Sequence, residues 1–81
     1  MSTIPRYRVG RDLMPINLTA EDAWLEGRHR LRPGRVIELA DVPSSHGPEQ
    51  RHAMVESWAV ASVGSNGPLY RGRCRWVEPS G

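Results

Sequence analysis

Several residue and segment types are scarce or missing in this sequence, and each absence excludes a class of protein. Cys74 is the only cysteine, so the chain forms no intramolecular disulfide and offers no second thiolate for a zinc site. No apolar run approaches the roughly eighteen residues of a membrane-spanning helix, and residues 1–10 lack the apolar core of a signal peptide. We therefore expect a cytoplasmic protein without membrane contact, in which Cys74 is a small buried apolar residue.

Lysine is also absent, and eleven arginines carry the positive charge. Against nine carboxylates they leave a formal net charge of +2, an excess too small to indicate a nucleic-acid-binding protein by itself. The 81 residues predict one domain, close to the size at which burial only just offsets the entropy of ordering the chain. We therefore expect the chain to associate, with a second copy or with a partner protein.

The strongest local pattern is a β-hairpin over residues 53–77. Its turn, residues 64–68, combines Asn and Gly, which accept a positive φ, with a proline that ends the strand pairing. In the second arm one face carries Tyr70, Cys74 and Trp76, and the other face carries Arg71, Arg73 and Arg75. The first arm is apolar on both parities, which we attribute to a bulge near Ser57 that switches its inward face.

The rest of the chain predicts short strands rather than helices. Strands are expected near residues 23–26, 35–40, 52–63 and 69–77. Residues 1–12 form an extended N-terminal arm with a short strand at residues 7–9, and residues 13–78 form the domain. The expected fold is all-β, and its core is expected to contain Trp76, Tyr70, Leu39, Ile37, Val55 and Trp58.

The histidines do not indicate an enzyme. His29, His46 and His52 are scattered, and none stands in a nucleophile or metal-ligand motif. No glycine-rich phosphate loop precedes a helix either. We expect a non-enzymatic protein without a cofactor or a metal.

Three motifs together resemble the PilZ family. They are Asn17-x-Thr19-x-x-Asp22-Ala23-x-Leu25, then Leu31-x-Pro33-Gly34-x-Val36-x-Glu38-Leu39, then Gly67-Pro68-x-Tyr70-Arg71-Gly72-x-Cys74-x-Trp76. PilZ domains are small antiparallel β-barrels that bind the bacterial second messenger cyclic di-GMP. The resemblance covers residues 6–77 and implies a PilZ-like barrel, incomplete at its first strand, with a role in signalling.

The chain departs from the family signature, which is an Arg-x-x-x-Arg arm followed by Asp/Asn-x-Ser-x-x-Gly. Thr19 keeps a hydroxyl at the serine position, whereas Asp22 stands where the family has glycine. The arginines that precede Asn17 do not have the four-residue spacing. The pairs that do have it are Arg28 with Arg32 and Arg71 with Arg75, which follow the second motif and are interpreted as coincidence.

Carried over residue by residue, the resemblance implies a ligand site at Arg8, Arg11, Asn17, Thr19 and Asp22. A guanidinium group can fork onto a phosphate or onto guanine and can stack on a base, so Arg8 and Arg11 are the expected donors. Asn17 and Thr19 would add hydrogen bonds. Asp22 would oppose the phosphates, and the Arg73 stripe would lie on the opposite side.

Two other functions stay open. A degenerate domain that has lost its ligand would act as an adaptor by protein contact, because a shortened first strand exposes backbone donors and acceptors at a sheet edge. A small barrel could instead bind single-stranded nucleic acid through Arg71, Arg73 and Arg75. That reading is disfavoured because Tyr70 and Trp76 point to the other face, so stacking and charge do not converge.

Overall fold

The computed structural model describes residues 3–78, and within them the chain forms six β-strands and no helix. The strands are β1 (Arg6–Arg8), β2 (Leu13–Leu18), β3 (Asp22–Gly27), β4 (Val36–Val42), β5 (Glu49–Gly64) and β6 (Gly67–Val77). The expected all-β fold is confirmed: the four main predicted strands correspond to β3, β4, β5 and β6, and the short strand expected at residues 7–9 corresponds to β1. Residues 3–78 hold no helix long and apolar enough to cross a membrane.

The strands form one curled sheet in the order β1-β4-β5-β6-β3-β2. Neighbours are antiparallel except for β1, which pairs in parallel with β4. The two edge strands approach each other at a single bridge between Val9 and Leu13, where the Gly10 amide donates to the Leu13 carbonyl at 2.7 Å. Beyond this bridge the edges diverge, so the sheet is a half-barrel, and its first strand is only three residues long.

Strand β2 was not predicted, because Pro15 and the turn-forming residues that follow it indicate a loop rather than a strand. Proline is tolerated in an edge strand, where the position of its missing amide faces no neighbour. The β2–β3 register shifts between Pro15 and Asn17, so one residue bulges out of the pairing. The turn between β2 and β3 is closed by hydrogen bonds between Thr19 and Asp22.

The predicted bulge near Ser57 is confirmed. The β5–β6 register shifts between Val55 and Ser57, so Val55 lies opposite Cys74 and Trp58 lies opposite Gly72. Because Cys74 and Gly72 are both buried, the bulge moves the inward face of β5 from odd to even residues. Trp58 therefore joins the concave side of the sheet.

The core lines that concave side. Its fully buried larger side chains are Leu13, Leu25, Ile37, Leu39, Val55 and Cys74. Three of the expected core residues, Ile37, Leu39 and Val55, are confirmed, whereas Trp58 and Trp76 are half-buried at its border. Tyr70 is also only half-buried and lies further along the hairpin, so its placement in the core was wrong.

Candidate functional site

The residues of the expected ligand site fall into two groups. Arg8 and Arg11 line a depression of about 470 Å³ together with Asp12 and Asp41. The charge of Arg8 is already paired there, because its Nε lies 3.0 Å from Oδ2 of Asp41. Asp12 caps the same segment by accepting a hydrogen bond of 2.8 Å from the Arg8 amide. The depression thus mixes both signs of charge.

Thr19 and Asp22 close the turn between β2 and β3. The Thr19 hydroxyl donates to Oδ1 of Asp22 at 2.7 Å and accepts from the Asp22 amide at 3.0 Å. The carboxylate also accepts a 2.8 Å hydrogen bond from Nε of Arg73. The Thr19 hydrogen bond is the main effect that holds the pKa of Asp22 below its ordinary value; desolvation opposes it, and the hydrogen bond and charge of Arg73 add to the lowering. The side chains of Thr19 and Asp22 therefore stabilise the β2–β3 turn.

These two groups lie at opposite ends of β2. Arg11 precedes the strand and Thr19 follows it, and at about 3.3 Å per residue six residues separate its ends by roughly 16 to 20 Å. Asn17 is exposed and pairs with Trp24 near the second end. The structure therefore does not bring the five residues together, and the expectation that Arg73 lies away from Asp22 was wrong, since the two form an ion pair.

The arginine stripe of β6 is neutralised by its neighbours. Arg71 lies 2.8 Å from Glu26, Arg73 lies 2.8 Å from Asp22, and Arg75 lies 3.3 Å from Glu56. The stripe does share the outer face of the strand, as predicted, but carboxylates of β3 and β5 interleave with it. A single strand of nucleic acid would have to displace these ion pairs.

One long stretch of sheet edge is unpaired within residues 3–78. The pairing of β5 with β4 ends at Met54, and the last bonds on that side join Val55 to Gly34 and Arg35. Residues 57–64 then pair only with β6. Their sequence, Ser-Trp-Ala-Val-Ala-Ser-Val-Gly, contains no charge and no proline. Sequence reasoning missed this edge because it expected the free edge at the shortened start of the chain.

A second group of arginines lies in the loop between β3 and β4. Arg28, Arg30, Arg32 and Arg35 have no carboxylate within 4.0 Å among residues 3–78. The loop faces the aromatic side chains of the β5–β6 hairpin. In the sequence this group stands out as a basic run from Arg28 to Arg32, but the pattern does not show that these arginines lack carboxylate partners.

Comparisons with known proteins do not assign the chain. No family model, no curated protein and no solved structure matches it. Among residues 3–78, no group of three or more His, Cys, Asp or Glu side chains is placed to hold a metal ion. The resemblance to PilZ domains therefore stays a prediction.

Proposed function

We propose that the chain is a PilZ-like signalling domain that has lost the cyclic di-GMP site and acts as an adaptor by protein contact. The observation that carries this proposal is the unpaired, uncharged edge of β5 at residues 57–64. Such an edge presents a row of backbone donors and acceptors to an added strand. The added strand belongs to a second copy of this chain in the simplest case.

The other free edges are poorly suited to this role. Strand β1 is three residues long and two of these are arginines. Strand β2 carries Pro15 and a bulge, both of which interrupt pairing with a further strand. The β5 edge has its own irregularity, a second register shift between Val60 and Ser62, which divides it into two short pairing stretches. Its exposed Val60 and Val63 are 54% and 76% accessible, so a partner would also cover apolar surface.

The arrangement of the expected ligand residues supports the loss of the dinucleotide site. Arg8 is paired with Asp41, and the carboxylate of Asp22 is engaged by Thr19 and Arg73. Binding a phosphate at either place would first require breaking these contacts. The site would also have to bridge the length of β2.

The edge is tested by one charged substitution with a matched control. Ala61→Lys places a charge on the β5 edge, and Ala20→Lys makes the same change at the exposed β2–β3 turn. We expect the parent and Ala20→Lys to sediment as dimers at about 100 μM, a concentration that reveals weak association by mass action, and Ala61→Lys to sediment as a monomer. Equal behaviour of the two variants would contradict the proposal.

The cyclic di-GMP receptor is the competing function, and calorimetry separates it from the adaptor. We expect that any heat measured on titration with cyclic di-GMP is the same for the parent and for a variant that lacks Arg8 and Arg11. Cyclic di-AMP and GTP are titrated in parallel as controls. Asp22→Gly restores the family glycine and is expected to create no binding, because it leaves the two groups apart. Binding by the parent that disappears in the Arg8→Gln, Arg11→Gln double variant would establish the receptor instead.

A further inference from the structure

The β3–β4 loop and the β5–β6 hairpin form the two walls of a cleft of about 560 Å³. One wall is the loop segment from Arg30 to Pro33, and the other wall includes the rings of Trp58 and Tyr70. This volume lies in the range of small-molecule sites. The cleft shares no lining residue with the depression that holds Arg8 and Arg11, and it lies at the end of β3 opposite to the Thr19 turn.

Burial and hydrogen bonds hold the β3–β4 loop in place, so the cleft has a defined shape. Leu31 is buried under it, and the Gly34 amide donates to the Val55 carbonyl at 2.6 Å. The indole Nε1 of Trp58 donates to the His29 carbonyl at 2.9 Å, which ties the aromatic wall to the loop. The same bond sets the orientation of the indole ring.

The charge of the loop is available for a ligand. Strand arginines such as Arg71 and Arg73 are ion-paired with carboxylates, whereas Arg30 and Arg32 have no carboxylate within 4.0 Å among residues 3–78. The flanking depressions are also lined by loop arginines, Arg28 on one side and Arg35 on the other. An anion at the loop would therefore meet guanidinium groups that are not already neutralised.

The aromatic wall supplies a flat apolar surface beside this charge. The rings of Trp58 and Tyr70 are nearly parallel, with an interplanar angle of 19° and centroids 6.4 Å apart. Nearly parallel rings present flat faces of similar orientation, on which a planar aromatic group can stack. We propose that this cleft binds a nucleoside phosphate, with the base against Trp58 and Tyr70 and the phosphate at Arg30 and Arg32.

This proposal goes beyond the adaptor function, although the cleft shares Trp58, Ala59 and Val60 with the β5 edge. Ala61 does not line the cleft, so the Ala61→Lys variant tests the edge without changing the cleft lining. The probes are AMP and GMP, with ribose 5-phosphate and inorganic phosphate as ligands that lack the base. We expect both nucleotides to bind measurably by calorimetry at up to about 1 mM, at least about tenfold more tightly than ribose 5-phosphate. A short single-stranded oligonucleotide distinguishes the source: a gain in affinity with length identifies a nucleic-acid strand, and no gain identifies a free nucleotide.

Matched variants test each wall. Arg30→Gln with Arg32→Gln should weaken nucleotide binding at least about tenfold, while Arg71→Gln with Arg75→Gln, which removes the same charge from the outer face, should leave it unchanged. Tyr70→Leu should weaken binding about tenfold and Tyr70→Phe should not, since only the first removes the ring. We expect Tyr70→Phe and the arginine variants to retain the fold, because phenylalanine keeps the ring and these arginines are exposed, so they test the proposal even if the leucine variant unfolds.

Three results would overturn the proposal. The first is no binding of either nucleotide. The second is equal affinity for AMP, ribose 5-phosphate and inorganic phosphate, which would describe a simple anion site. The third is an equal loss of affinity in the loop and outer-face arginine variants, which would show that net charge alone attracts the nucleotide.

Discussion

Gly72 is the position at which one added methyl group tests the fold most directly. It is buried in β6 opposite Trp58. A Cβ atom built on Gly72 would overlap the carbonyl oxygen of Ser57 and lie 2.6 Å from Cε3 of Trp58. The Ser57 carbonyl belongs to the backbone of the β5 bulge, so Gly72→Ala requires the strand itself to move.

The size of the effect follows from this contact. Overpacking a well-packed core typically costs about 1–3 kcal/mol, and movement of backbone places Gly72→Ala near the upper end, about 3 kcal/mol. In a domain of this size 1 kcal/mol shifts Tm by roughly 4–8 °C, so we expect a decrease of roughly 12–24 °C. Thermal and urea denaturation followed by circular dichroism would measure it.

Gly64→Ala is the matched control. Gly64 lies at the end of β5, its added Cβ would meet nothing within 4 Å, and its φ is not positive. We expect this change to be neutral or to stabilise the protein by about 0.4–1 kcal/mol, since alanine restricts the unfolded chain. If Gly72→Ala melts within about 2 °C of the parent, the close packing of β6 against the bulge is refuted.

Three further predictions concern single side chains. Trp76→Ala should lower the free energy of unfolding by about 2–3 kcal/mol, less than the 3–5 kcal/mol typical of a fully buried tryptophan, because Trp76 is half-buried. A Tm within a few degrees of the parent, measured by calorimetry, would contradict this. Thr19→Val should raise the pKa of Asp22 towards 3.8, as measured by an NMR pH titration, and an unchanged pKa would remove the Thr19 bond as its main cause. Because the folded-state pKa of Asp22 is lowered, its contribution to stability is present above its ordinary value and is lost as pH falls through the lowered value. Burial raises the pKa of Cys74 to about 12, so the native thiol should resist alkylation at about pH 8 and react only on unfolding, and fast labelling of native protein would refute its burial.

The ligand site expected from the sequence shows why local patterns were insufficient to predict function. Thr19 and Asp22 have the spacing of a ligand motif, but their hydrogen bonds close a turn instead. Arg8 meets Asp41 only because β1 pairs with β4, a parallel contact between segments far apart in the chain. Whether a charged side chain is free or neutralised depends on such partners, which the sequence pattern does not identify.

The sequence by itself determined the hairpin, its turn and its bulge, because these depend on neighbouring residues. The period of two placed Arg71, Arg73 and Arg75 on one face, and the break of parity near Ser57 identified the bulge. Residue types alone also predicted the buried thiol of Cys74.

Only the tertiary structure decided which strands are neighbours and which edges stay free. The proline in β2 obscured an edge strand, because whether proline is tolerated depends on the presence of a neighbour on its amide side. The cleft joins a loop at residues 28–35 to rings at residues 58 and 70, and these meet only after β5 and β6 have paired in register. Contacts of this kind depend on strand order and register, which are set by burial of the whole sheet rather than by any short stretch of sequence.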